Sequence, residues 1–271
     1  MDMTGPRDRL PRRIAFLSDP HGDLVAFARV IADLEAAGPV DEVLLGGDLA
    51  QGGAQPAEVV DEIRARGWTS VRGNGDDLLV RIADGASAIQ AVRDAEATHG
   101  PLPESMATHA EWSVRRLGPE GIEYLRSLPT ALVRGPYPWG TVVLVHATPW
   151  STEDVVLPDA AGEVAGRMLR EAGARLLAYG HIHTPYQRRV GDAVLMSVGA
   201  VSGSNDADPR PAYTIVNLDD TITVEVRRVT WPPQERLEAY AAAGVERRFS
   251  RERPGPLPVR SQPAVPVAIW P

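Results

Sequence analysis

Five predicted strands of this chain each run into a side chain able to bind a metal ion, giving Asp19-Pro-His21, Gly47-Asp48, Gly73-Asn74, His146 and Gly180-His181-Ile-His183 in that order. Early in the chain the strands alternate with helices. That pattern implies a largely parallel first sheet, in which ligands belong outside the carboxyl ends of the strands. The motifs stand at those ends. Four imidazoles, two carboxylates and one amide, with no thiolate, suit borderline or hard divalent ions such as manganese, zinc or iron, and two ions can share a bridging carboxylate. The set points to two-metal hydrolysis of phosphate esters.

The chain has 271 residues, 44% of them hydrophobic, enough for a well-buried core. We expect one domain over residues 1–249 and a Pro/Arg-rich tail over 250–271. A formal net charge of −8 argues against an extended duplex nucleic acid as partner, which would need a basic stripe. A small, locally captured phosphate ester or nucleotide is the expected partner. With no cysteine, disulfides, thiolate ligands and cysteine nucleophiles are excluded, while the compartment stays open on that ground. The polar, Arg-rich stretch from Met1 to Arg13 does not read as a secretory signal, and no run approaches 18 apolar residues. The expectation is a cytoplasmic protein without a membrane partner.

Strands are predicted at Arg13 to Ser18, Glu42 to Leu45 and Thr69 to Arg72, with helices at Leu24 to Ala37 and, after Pro at its first turn, Pro56 to Arg66. Between about residues 78 and 128 strand signals vanish. Ala86 to Thr98, Glu104 to Leu117 and Pro119 to Leu128 read as helices parted by Gly-Pro breaks. This helical insertion follows a ligand-bearing loop and is read as a packing element, with a wall or lid over the site as the alternative. Strands return at Ala131 to Arg134, Thr141 to Val145 and Arg175 to Ala178, with a helix at Glu163 to Ala172. Tyr186 to Val190, Ala193 to Ser197, Ala212 to Asn217 and Ile222 to Val229 alternate as an antiparallel meander forming a second sheet. A short helix from Gln234 to Ala243 precedes the tail, where Pro254, Pro256, Pro258, Pro263 and Pro266 favour extended geometry, unstructured or draped over the surface.

Taken singly, each motif has an ordinary explanation. Asp-x-His after a strand can merely cap the next helix, and Gly-Asp and Gly-Asn are common turn dipeptides. Gly-His-x-His is more specific. Two imidazoles two apart in an extended segment point to opposite faces, so they would serve two ions only where the loop curls around the pair. Turn chemistry does not explain all five in order at strand ends.

In this order the motifs resemble those of the calcineurin-like metallophosphoesterases, and most of all a small bacterial branch. There Ser-Asp-x-His-Gly, Gly-Asp-Leu and Gly-His-x-His-x-Pro recur with a Gly-Asn-x-Asp loop; Ser18 to Gly22, Gly47 to Leu49, Gly73 to Asp76 and Gly180 to Pro185 fit. The resemblance runs from about Ile14 to Val229. It implies an α/β sandwich of two mixed β-sheets flanked by helices, with a dinuclear centre at one end. By it, Asp19, His21 and His183 would hold one ion and Asn74, His146 and His181 the other, with Asp48 bridging. Manganese is the first expectation, with iron, zinc, nickel or cobalt as alternatives. A hydroxide between the ions would attack phosphorus in line, and Asn74 would also donate to the phosphoryl group.

Two departures bear on the substrate. Many relatives carry His directly after the Gly-Asn as a leaving-group acid, and here the residue is Gly75; a need for positive φ is an alternative reason for that glycine. Relatives acting on phosphoproteins carry Arg four residues after the bridging Asp, and here it is Gly52. Loss of a general acid forfeits roughly 10² to 10⁴ in rate with poor leaving groups, so a phosphodiesterase is the first reading. A phosphomonoesterase or a dinucleoside polyphosphate hydrolase is the alternative. A non-catalytic scaffold, as in the metallophosphoesterase-like subunit of retromer, is the reading from a different class, and such proteins tend to lose ligands that are all present here. Outside the ligand set, His99 and His109 are read as solvent-facing, Arg72 and Arg210 as surface ion pairs, and Asp23 and Asp76 as caps of the helices that follow them.

Overall fold

The computed structural model describes residues 10–103, 105–219, 222–245 and 265–267. Its chain opens as the sequence predicts, with β1 (Arg13–Leu17), α1 (Leu24–Ala36), β2 (Glu42–Leu45), α2 (Pro56–Ala65) and a short β3 (Thr69–Ser70). β1, β2 and β3 pair in parallel. β1 is buried on both faces, which is why Ile14 to Leu17 reads as an uninterrupted apolar run. Asp23 starts α1 by accepting the Ala26 N–H at 3.1 Å, and Pro56 lies in the first turn of α2, where its missing N–H costs nothing.

Three helices follow, α3 (Asn74–Ala83), α4 (Ala88–His99) and α5 (Ser105–Ser127). α3 corrects the sequence reading, which placed a loop at Gly73 to Asp76 and gave no helix range between that loop and Ala86. α5 joins two predicted helices across Gly118, whose φ of 63° and the following Pro119 break the regular helix there. The remaining elements are β4 (Ala131–Tyr137), β5 (Gly140–Val145), α6 (Gly162–Ala172), β6 (Leu176–Tyr179), β7 (Tyr186–Val190), β8 (Ala193–Ser197), β9 (Ala212–Leu218), β10 (Ile222–Arg228), α7 (Pro233–Ala243) and β11 (Val265–Val267).

Two mixed sheets result, one with order β11-β10-β9-β1-β2-β3 and one with order β4-β5-β6-β8-β7. The predicted meander is therefore divided: β7 and β8 form a hairpin in the second sheet, while β9 returns to pair antiparallel with β1 in the first. Side chains alternate between layers at period two. In β1, Ile14 and Phe16 join Leu144, Ala178 and Met196 between the sheets, while Ala15 and Leu17 pack with Phe27, Val59 and Leu125 of the helices on the outer face. α6 covers the other outer face through Ala165, Met168 and Leu169 against Val143, Leu177 and Leu195. The fold is the sandwich of two mixed sheets flanked by helices that the resemblance implied.

The tail departs from expectation in one place, because Val265–Val267 adds an edge strand to β10, and an edge is where the missing N–H of Pro266 is tolerated. Met1 to Arg9 and the other tail prolines, Pro254, Pro256, Pro258 and Pro263, lie outside the described residues. Among the described residues no helix is long and apolar enough to cross a membrane.

Candidate metal centre

Parallel pairing of β1 with β2, of β2 with β3 and of β5 with β6 aligns the carboxyl ends of strands from both sheets. Asp19 and His21 follow β1, Asp48 follows β2, Asn74 opens α3 after β3, His146 follows β5, and His181 and His183 follow β6. The local backbone is unusual. Asp19, His21, Asp48, His181 and His183 have φ of 55°, 48°, 53°, 63° and 55°, and they are the only non-glycine residues with positive φ among those described. Each such residue costs on the order of 1–2 kcal/mol, a strain that collects where surrounding structure enforces a functional geometry. Two flanking glycines are required by close approach: a Cβ on Gly180 would lie 2.5 Å from Asp19 Oδ2, and one on Gly73 2.1 Å from Asp48 Oδ1.

The seven predicted residues come together as two groups. In one, His21 Nε2 stands 3.1 Å from His183 Nε2, and Asp19 Oδ1 lies 3.3 Å from His183 Nε2. In the other, His146 Nε2 stands 3.1 Å from His181 Nδ1 and 2.9 Å from Asn74 Oδ1. Asp48 lies between them, with Oδ2 3.7 Å from His21 Nε2 and Oδ1 3.5 Å from His146 Nε2. The curled loop thus sends His181 and His183 to different groups. Asp19, given to one ion by the resemblance, has a carboxylate oxygen within 4.8 Å of donor atoms of Asp48 and His146 as well as of His21 and His183.

Hydrogen bonding tests whether this donor set fits a metal. His21 Nδ1 meets the Gln51 carbonyl at 2.7 Å, His183 Nδ1 that of Gly203 at 2.6 Å, His146 Nδ1 that of Gly46 at 2.6 Å, and His181 Nε2 that of Glu153 at 3.1 Å. A carbonyl only accepts, so each of these nitrogens carries the proton, and in a neutral imidazole the other nitrogen presents a lone pair. With all four rings neutral, two lone pairs face each other across 3.1 Å in each group, an arrangement that calls for a cation, a metal ion or a proton, near both. Backbone carbonyls fixing the tautomer in this way are the usual support of metal-binding histidine. Asp19 Oδ1 adds a buried carboxylate oxygen with no hydrogen-bond donor. The residues fit divalent ions.

Burial and the two carboxylates compete at the imidazoles. Burial alone would push His183 and His146 down, but Asp19 beside the first and Asp48 beside the second overcome it and raise both above the ordinary histidine value. For His21 burial prevails over the Asp48 charge and the net shift is downward. Burial would raise Asp19, yet His183, His146 and His21 together hold it well below the usual carboxylate range.

The sequence profile of the calcineurin-like phosphoesterase superfamily domain matches residues 13–221. The chain belongs to this superfamily. Among solved structures, a metallophosphoesterase from Sphaerobacter thermophilus shares 24% identity over 87% of this chain and 95% of its own, with a TM-score of 0.67. A hypothetical protein from Pyrococcus horikoshii OT3 shares 18% identity over 86% and 94%, with a TM-score of 0.73. These likenesses show the phosphoesterase fold. No curated protein matches the chain.

Around the candidate centre, several residues take roles the sequence did not disclose. Asp76, expected to cap a helix, is fully buried at the third position of α3. It does accept the Gly73 N–H at 3.0 Å, but it also accepts those of Asp48 and Leu49 at 2.9 Å, tying two ligand loops together. Burial, with the Asp48 charge, pushes its carboxyl up to about 7. A Gly-Asn-x-Asp spacing after a strand was the only available signal. Gly75 has no positive φ; its N–H donates to Asp48 Oδ1 at 2.7 Å, and a Cβ there would lie 3.1 Å from that oxygen.

Asp23 caps α1 as expected and in addition pairs with Arg236 at 3.0 Å. Arg72 pairs with Asp77 at 2.6 Å and Arg210 with Asp208 at 2.6 Å, both as read. His109 does not face solvent: it is 3% exposed, with its ring 5.3 Å from that of Trp112. His99 ends α4, and its side chain lies outside the described set. The helical segment is more than packing, because Leu78, Arg81, Ala91 and Met106 line a cavity of about 550 Å³ that also borders His21, Asp48, Asn74, His181 and His183.

Proposed function

We propose that the chain hydrolyses phosphate esters with two divalent metal ions, manganese first, and that phosphodiesters are its preferred substrates. The observation that carries the reading is the pair of imidazole couples whose lone pairs face across 3.1 Å, with one oxygen of Asp48 toward each couple. Asp19, His21 and His183 would hold one ion and Asn74, His146 and His181 the other. Ions so bound supply Lewis-acid stabilisation of phosphoryl charge and a lowered pKa for the attacking water. The chain's own groups then orient. The Gly75 N–H fixes the Asp48 carboxylate, Asp76 holds the Asp48 loop against Gly73, and the Asn74 amide has N–H groups to offer a phosphoryl oxygen.

Preference for diesters is supported by Gly75, where many relatives carry a histidine that protonates the leaving oxygen. A site without that acid suits leaving groups that depart as anions. Turnover of bis(p-nitrophenyl) phosphate against p-nitrophenyl phosphate, with Mn²⁺ added, tests the reading. The diester is expected to react faster; faster reaction of the monoester would overturn the preference, and no turnover of either would favour a scaffold.

A further inference from the structure

We infer that the cavity beside the metal ligands seats an apolar or aromatic ester group of a singly charged phosphodiester, and that Leu78, Leu102 and Met106 of the helical segment are its specificity-determining wall. The inference rests on the hydrolase reading above for the phosphate end of the substrate, but the wall stands on separate observations. At about 550 Å³ the cavity has the size of a small-molecule site. Its floor is polar, formed by the ligand residues. Away from them Leu78 of α3, Ala91 of α4, Leu102 of the α4–α5 connection and Met106 of α5 supply aliphatic surface, and Trp231 and Tyr240 beside and within α7 supply aromatic surface. Trp231 is half-buried before α7; Leu102, half-buried in the α4–α5 connection, packs against the helical core with one side, and Leu78 and Met106 are core members that also border the cavity. Four stretches of chain thus place apolar surface on one cavity that opens onto the candidate ligands.

Charge narrows the substrate further. Among the described residues lining the cavity, the guanidinium groups are those of Arg81 and Arg236, and each is already paired with a carboxylate, Asp94 at 3.0 Å and Asp23 at 3.0 Å. Asp77 and Glu153 line it with carboxylates of their own. A polyphosphate brings several negative charges and needs cations beyond the metal centre, which this lining does not hold in excess. A phosphodiester brings one, and its ester carbon skeleton finds apolar surface. The lining therefore favours an aryl- or nucleoside-sized diester over a dinucleoside polyphosphate.

The test uses two stable, singly charged analogues of a diester, the monomethyl esters of phenylphosphonate and of methylphosphonate, titrated calorimetrically into the full-length, Mn²⁺-loaded protein. Burial of one phenyl face predicts at least about tenfold tighter binding of the phenyl compound. Leu102→Asp and, separately, Met106→Gln are expected to cut that ratio below about threefold with metal content retained; because Met106 is buried, its substitution is also expected to lower the melting temperature. Equal affinities in the unsubstituted protein, or a preference that survives both substitutions, would overturn the inference. Turnover of bis(p-nitrophenyl) phosphate in the same samples separates the two readings. Turnover without phenyl preference removes the wall and keeps the hydrolase, whereas phenyl preference without turnover keeps the wall and removes the hydrolase.

Discussion

At the residue scale, the seven donors were legible because their chemical types are restricted and each stands at a strand end. The left-handed backbone of five of them was not, since Asp and His carry no local preference strong enough to announce a positive φ. Nor was the part played by Asp76, whose bonds to Asp48 and Leu49 depend on a tertiary approach across 28 and 27 residues of sequence. Asp76→Asn keeps the shape but turns one acceptor oxygen into a donor facing backbone N–H groups. It is expected to weaken metal binding by about 10- to 100-fold, as loss of an outer partner of a metal ligand does, and a metal titration followed by thermal melting would show it. Unchanged affinity would reduce Asp76 to a packing role. Gly75→His would place an imidazole beside Asn74. Turnover of alkyl relative to nitrophenyl esters is expected to rise by at most roughly 10², since the new Cβ crowds Asp48. An unchanged ratio in a fully metallated variant would mean that the leaving oxygen is already protonated by another group.

At the element scale, β2, β7 and β8 match the sequence reading residue for residue because their apolar runs are bounded by clear turn signals. α3 escaped because Gly73-Asn74-Gly75 has the composition of a turn, and glycine costs about 1 kcal/mol relative to alanine inside a helix. Here Asp76 and the Gly75 bond to Asp48 override that preference. β9 and β10 were recognised as strands, but period-two alternation says nothing about which sheet a hairpin joins. Their docking onto helix α1 has its own polar link: Asp33 accepts from Arg227 Nε at 2.8 Å and from the Tyr213 hydroxyl at 2.8 Å. Arg227, opposed by burial and aided by Tyr213, holds the Asp33 carboxyl below its usual 3.8. A carboxylate lowered in the folded state stabilises above its unfolded pKa and loses that contribution as pH falls through the folded value. Asp33→Asn should therefore cost about 1 kcal/mol at neutral pH in this partly exposed setting. The difference from the unsubstituted protein should shrink as pH drops below 3.8, and denaturant melts at pH 7 and pH 3 would check it.

At the scale of the whole molecule, two sheets that differ in connectivity present ligands at one shared edge, and a chain of net charge −8 concentrates there a set of groups that need cations. The superfamily and its sandwich were readable from the serial motifs. The cavity was not, because Leu78 and Met106 are core residues and nothing in the sequence shows that they, with Leu102, also border a space beside the candidate ligands. The account turns on the claim that the facing imidazole couples are two cation sites joined by Asp48. Metal content of chelator-stripped protein reloaded with Mn²⁺ tests it most directly. We predict saturation at about two ions per chain, as two-metal hydrolysis requires, with a rise in melting temperature as both sites fill. Saturation at one ion, or at none, would contradict it.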